Sequence, residues 1–206
     1  MSSKCSTYLK SCISADCDNP LFAGVAPDSI IINYDQADFG TPVENVIGTI
    51  TMGTDATTQT QYKAYCCSQL GKNPYEGSQT ELVEGTYGNK WNHTIVLAVP
   101  DNGPEVSANI IDQFANGRFV AILENDYVHA DGKNRYQIYG ASKGLRASSI
   151  QRELYGDNNS FWIVTLMEEN APTSGLFFFK TDEETTKEYL DGLKDPCCNI
   201  GTQTNG

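Results

Sequence analysis

The chain has 206 residues, with 26 Asp and Glu against 14 Lys and Arg and a formal net charge of −12. Hydrophobic residues at 39% exclude a disordered chain, and no stretch approaches the ~20 consecutive apolar residues of a membrane-spanning helix. So acidic a chain repels phosphates instead of releasing their counterions, which argues against tight nucleic-acid readers and binders of anionic membranes.

The length buries the core of one domain with arms. Met1-Ser2-Ser3-Lys4-Cys5 has no apolar stretch behind its charge and is not read as a secretory signal. Folding in a reducing cytoplasm, where disulfides are rare, is therefore the expectation. Seven cysteines cannot all pair within one chain.

In chain order, residues 1–29 read as an N-terminal arm carrying Cys5, Cys12 and Cys17. Strands follow at 30–34, at 46–52 around Gly48, and at 61–67, where Tyr62, Ala64 and Cys66 share one face. The threonine-rich stretch 53–60 reads as a hairpin loop. Residues 68–92, punctuated by Gly71, Pro74, Gly77, Gly85 and Gly88, read as one long exposed loop, a feature compact domains seldom carry without a use. A strand over 93–99 closes on Pro100-Asp101-Asn102-Gly103.

The first helix is expected over 104–116, with Pro104 at its first position, Glu105 at the positive dipole end and Gly117 as its stop. Val106, Ile110 and Phe114 form its apolar stripe, widened by Ile111. Strands are expected at 119–124, 135–139, 161–167 and 176–179. A second helix over 181–194 has Thr181 and Glu184 in capping-box spacing and the stripe Thr186, Tyr189, Leu190, Leu193. Gly192 weakens its last turn by ~1 kcal/mol relative to Ala. Residues 195–206 read as a C-terminal arm. The fold class is thus mainly β: a β-sandwich or open barrel over 30–194, one or two flanking α-helices, and extended arms at both ends.

Motifs that could carry chemistry resolve into structural ones. Gly140-Ala141-Ser142-Lys143-Gly144 matches the nucleophile-elbow spacing G-x-S-x-G, but both histidines, His93 and His129, precede Ser142, so a two-glycine turn is expected. His129-Ala130-Asp131 beside Asp126 reads as a solvated hairpin tip and not a metal site, and His93 as a satisfied strand residue. Glu168-Glu169 and Asp182-Glu183-Glu184 are accounted for by solvation and the helix dipole. Neither phosphate-loop pattern occurs.

The adjacent pairs Cys66-Cys67 and Cys197-Cys198 would point to opposite faces if held in a strand. Three fates stay open for the cysteines. One is free thiols, the default. Another is inter-subunit or late oxidative disulfides. The third is a structural zinc held by Cys5, Cys12 and Cys17 with Cys197 or Cys198. No catalytic, cofactor-binding or metal residue is assigned, and the chain reads as non-enzymatic. A β domain with arms and a long polar loop has the parts of a self-assembling subunit. A carbohydrate- or protein-binding module stacking ligands on Tyr75, Tyr87 and Trp91 is the alternative from another class.

A resemblance extends this reading. The stretches 116–124 (NGRFVAILE), 135–140 (RYQIYG), 144–146 (GLR) and 162–168 (WIVTLME), with Cys17-Asp18-Asn19-Pro20-Leu21 and Gly24 at the opening, resemble structural proteins of tailed phages, especially of Bacteroidetes hosts, of the tail tube (major tail) type. The likeness covers 15–180, and the vicinal cysteine pairs and the cysteine-bearing arm lie outside its pattern. It implies β-sandwich subunits with a flanking helix, assembled with copies of themselves into rings, hexameric in this family, that stack into a DNA conduit. It further implies contacts with other tail or neck proteins, DNA only as non-specific passing cargo, no cofactor and no membrane. The place would be the virion tail, assembled in the bacterial host cytoplasm. In that picture sheet residues form an acidic inner wall and the 68–92 loop meets the next ring. A connector, stopper or tail-hub ring protein is the alternative within the virion.

Overall fold

The structure, a computed structural model, describes residues 24–86, 88–154 and 160–199. In chain order the strands are β1 (Val25–Asn33), β2 (Ala37–Asp38), β3 (Val46–Ile47), β4 (Thr51–Met52), β5 (Tyr65–Ser68), β6 (Gln79–Val83) and β7 (Lys90–Val99). A helical segment follows, made of α1 (Pro104–Val106), a π-helical turn (Ser107–Ile111) and α2 (Asp112–Asn116). Then come β8 (Phe119–Asn125), β9 (Tyr136–Tyr139), β10 (Arg146–Arg152), β11 (Trp162–Ala171), β12 (Leu176–Phe178) and α3 (Glu183–Leu193).

The apolar runs of β1 and β8 explain the layering. Ile30 and Ile32 alternate with Ile31, and Val120 and Ile122 alternate with Ala121 and Leu123, yet all are buried. Strands with both faces covered belong in a middle layer. They sit in a six-stranded sheet of order β3-β12-β9-β8-β1-β5. On one side Ile30, Ile32, Val120, Ile122 and Phe178 pack with Leu190 and Leu193 of α3 and with Ile50 and Met52. On the other, Ile31, Ala121 and Leu123 pack with Ile95, Leu97, Val164 and Leu166 of a four-stranded sheet, order β10-β11-β7-β6. The protein is therefore mainly β, with two stacked sheets and a flanking helix, as expected.

Several boundaries differ from the sequence reading. Residues 25–29, assigned to the arm, already belong to β1, because Val25 pairs with Asn125 and Ser29 with Leu123. The stretch 46–52 is two strands in different sheets: β3 runs parallel to β12, while β4 pairs with β2. The 61–67 strand starts only at Tyr65; Ala64 instead bridges Lys194. The 68–92 loop contains β6 and the first residues of β7. Its strand is hidden in the sequence because β6 is an outer strand with little buried surface; β10, also an outer strand, is hidden in the same way.

The helix at 104–116 forms, with Phe114 and Ile111 buried in the core between the sheets. The π turn inserts a residue, so Ile110 leaves the buried stripe and is 38% exposed. α3 is capped by Asp182 and not by the Thr181–Glu184 box: the Thr185 N–H donates to Asp182 Oδ1 at 2.8 Å. Its buried face is Thr186, Leu190 and Leu193, and the Tyr189 hydroxyl donates to the Ile50 carbonyl at 2.6 Å. Among the described residues no helix is long and apolar enough to cross a membrane.

Candidate functional site

Sheet margins carry unused hydrogen-bonding groups, so a protein with several of them must cover or use them. β3 and β5 end the six-stranded sheet, and β6 and β10 end the four-stranded one; Val43 takes up the outward N–H and C=O of Val46 on β3, so the open margins are β5, β6 and β10. Large apolar side chains stand in the open on or beside these outer strands, Leu70 just past β5 among them. Tyr65 lies on β5 and Leu82 on β6, Val43 stands just before β3, and Leu154 follows β10. Single exposed apolar residues are ordinary, but here they mark all four edges.

The strand β5 combines a margin with cysteine chemistry. Cys66 faces the α3 side and is bonded to Cys198, 132 residues later, with their Cα atoms 5.5 Å apart. This corrects the default of free thiols for Cys66 and Cys198, while Cys67 and Cys197 carry free thiols. Cys67, one residue on, packs on the opposite face against the core between the sheets, as strand alternation requires. Its thiol accepts from Gln69 Nε2 at 3.2 Å, and burial pushes its pKa up. The Cys197 thiol is exposed, and the hydrogen bond with Asp195 holds its pKa above the usual value. Cys5, Cys12 and Cys17 of the zinc expectation lie outside the described residues, and Cys198 is spoken for by the disulfide.

The G-x-S-x-G turn is organised from below by Glu168, which is 2% exposed. Its Oε2 accepts the Gly140 N–H at 3.1 Å, and its Oε1 accepts those of Ser142 and Lys143 at 3.1 and 2.7 Å. Gly140 has φ of 90°, and a Cβ there would lie 2.6 Å from the Phe119 carbonyl oxygen, so the glycine is required by the turn itself. Glu168, read as a solvated strand-end residue, is thus a buried anchor. The signal for that role is one of register: it faces His93 across β11 and β7, on the inward side of the sheet.

His93 is buried and satisfied on both nitrogens. Nδ1 lies 3.0 Å from Thr80 Oγ1, and Nε2 donates to the Thr173 carbonyl at 3.1 Å, which fixes Nδ1 as the acceptor of the threonine hydroxyl in the neutral ring. Tyr139 stacks edge-on at 5.7 Å, its phenol pushed up to about 12 by burial. His129 sits in the exposed loop beyond β8, its N–H donating to Asn134 Oδ1. Among the described residues no group of three or more His, Cys, Asp or Glu is gathered to hold a metal.

Of the three aromatics considered as a stacking platform, Tyr75 is buried, and its hydroxyl donates to Ser29 Oγ at 2.5 Å. Burial, reinforced by the neighbouring Cys67, pushes its phenol well above the usual range. Tyr75 therefore anchors its loop onto β1 and has no face to offer a ligand. Trp91 is half-buried on β7, and Tyr87 lies outside the described residues. No family model, curated protein or solved structure matches this chain.

Proposed function

We propose that the chain is a structural subunit of a phage virion, a tail tube protein that self-assembles into stacked rings and lines a conduit for DNA. The observation that carries this reading is the set of three open sheet margins, β5, β6 and β10, with exposed Tyr65, Leu82 and Leu154 on or beside them. Two stacked sheets supply a rigid wall, and unpaired edges supply the means of extending it from one copy to the next. The charge supports the same role. At −12 the chain repels phosphates, so DNA would pass without adhering.

The same charge makes copies repel one another at low ionic strength. Screening within a Debye length of ~8 Å at 0.15 M salt should therefore promote association. Negative-stain microscopy of the purified protein, with sedimentation velocity from 20 mM to 1 M salt, tests the proposal. Rings or tubes, more abundant at higher salt, are the expected result. A monomer at every salt and at high concentration would overturn it.

A further inference from the structure

The disulfide between Cys66 and Cys198 holds down a segment that little else holds. After α3 the chain runs beside the start of β5: the Ala64 N–H donates to the Leu193 carbonyl at 2.9 Å, and the Asp195 N–H donates to the Ala64 carbonyl at 2.8 Å. A parallel pairing that continued along β5 would next engage Cys66. It stops there because Pro196 has no N–H and the chain turns into a 3-10 helix over Pro196–Asn199. The turn closes on itself, with the Cys198 N–H donating to the Asp195 carbonyl and the Cys197 N–H to Asp195 Oδ1, both at 2.9 Å. Pro196 and Cys197 are exposed. Beyond Asp195, whose N–H still bonds Ala64, the covalent bond is thus the main attachment of this segment to the sheet among the described residues.

The bond is also reachable. Cys66 is exposed, and both sulfur-bearing residues line a cleft of about 650 Å³ between α3 and the face of β1 and β8. Lys187 and Lys194 stand on its wall. Exposed disulfides are the ones that small thiols reduce. Among the described residues the two free thiols are poor competitors for it. Cys67 points to the other face of β5, and Cys197 is held beside the Asp195 carboxylate, which disfavours a thiolate.

We propose that Cys66–Cys198 is a thiol-operated latch: a small dithiol cleaves it and releases the segment 195–198, while α3 and both sheets stay in place. In the reaction one thiolate of the reductant attacks a protein sulfur, the S–S bond breaks, and the displaced cysteine thiolate takes a proton. The second thiol of the reductant then attacks the mixed disulfide, freeing the other cysteine and closing the reductant into its own cyclic disulfide. α3 keeps its seat because Thr186, Leu190 and Leu193 remain buried whatever the state of the sulfurs. The latch stands independently of the assembly reading.

The test uses the full oxidised chain and dithiothreitol without denaturant. Alkylation and mass spectrometry report cleavage, and hydrogen exchange reports release. The expected result is alkylation at Cys66 and Cys198 together with at least tenfold faster exchange of the amides of Asp195, Cys197 and Cys198, while those of β1, β8 and α3 keep their protection. Cys197→Ser should leave both the bond and its cleavage rate unchanged. Three results would overturn the latch: a bond that resists dithiothreitol until the protein is unfolded, a cleaved protein whose Asp195, Cys197 and Cys198 amides exchange as before, or a collapse of protection across both sheets.

Discussion

The side-chain amide of Gln69 takes the place of a strand beside Ala98: its Oε1 accepts the Ala98 N–H at 2.7 Å, and its Nε2 donates to the Ala98 carbonyl at 3.1 Å. β6 pairs with β7 only as far as Thr94, which leaves the end of β7 without a neighbour on that side. Ser78 covers the next position, its Oγ accepting the Val96 N–H at 2.9 Å. Two side chains from one loop thus continue a ladder that the backbone abandons. With Tyr75 fixed on β1, the same loop ties the margins of both sheets together.

Gln69→Ala should expose this patch. The half-buried Ala98 N–H and C=O lose their partners together, and losing such bonds costs about 1 kcal/mol or somewhat more. Urea unfolding should show a lower midpoint with an unchanged m-value, the signature of a pure stability loss. Gln69→Glu should do no better, since the carboxylate keeps an acceptor but loses the donor to the Ala98 carbonyl. A Gln69→Ala midpoint equal to that of the parent would mean that water fills the position at no cost.

Glu168 offers a second substitution with a defined sign. Three backbone N–H groups from the 140–144 turn converge on its two oxygens, and charge-assisted bonds of this kind are stronger than neutral ones. Glu168→Gln replaces one acceptor oxygen by an NH₂ that must face a donor. The expected loss is about 2–3 kcal/mol, because a hydrogen bond to a charged group becomes a clash of donors. Ser142→Ala, by contrast, should change stability little, because the turn uses the Ser142 backbone: its N–H meets Glu168 and its carbonyl accepts the Tyr34 hydroxyl at 3.0 Å. Thermal melts of the two variants side by side check the contrast.

How much of this could be read beforehand depended on how many faces a segment buries. Ile30 to Ile32 and Val120 to Leu123 are apolar without interruption because they are covered on both sides, so their strands were plain in the sequence. β10 was invisible for the opposite reason: of Arg-Ala-Ser-Ser-Ile-Gln-Arg, Ala147 and Ile150 pack on the core, and a bulge between Ala147 and Ser149 breaks even that alternation. The π turn left no trace either, since a one-residue insertion changes which of Ile110 and Ile111 faces inward without changing the composition. The opposite facing of Cys66 and Cys67 followed from strand geometry alone. Their different fates did not, because the partner of Cys66 lies 132 residues away and is brought near only by the packing of α3. Gln69 and Glu168 look like ordinary polar residues for the same reason: their roles are set by a strand and a turn 29 and 28 residues distant.

The acid limb of stability should carry the mark of three aspartates. The pKa of Asp182 is held below the usual carboxylate range by the Thr185 N–H, that of Asp55 by the Thr58 and Thr57 N–H groups, and that of Asp195 by the Cys197 N–H. A carboxyl whose folded pKa is depressed binds its proton more readily when unfolded. Its stabilisation is therefore complete above the unfolded value of about 3.9 and is lost as pH falls through the folded one. Asp182→Asn keeps an N-cap acceptor but cannot titrate. It should flatten the fall in midpoint temperature on the acid side while lowering stability modestly at neutral pH; an unaltered acid limb would rule out Asp182 as a contributor.

Gly192 gives the opposite outcome, a gain. It lies in the last turn of α3, on the exposed side, where a Cβ would meet nothing within 4 Å and the backbone is not in the left-handed region. A glycine there costs the helix about 1 kcal/mol against alanine, because the unfolded chain has more freedom to lose and no compensating contact is made. Gly192→Ala should therefore raise the melting temperature by roughly 2–4 °C for a chain of this size. The measurement is best made on the oxidised protein, in which the end of α3 is pinned to β5 through Cys198. The gain should persist after reduction, because Leu190 and Leu193 keep the last turn helical in either state. A gain confined to the oxidised form would mean that the turn unwinds once the sulfurs part.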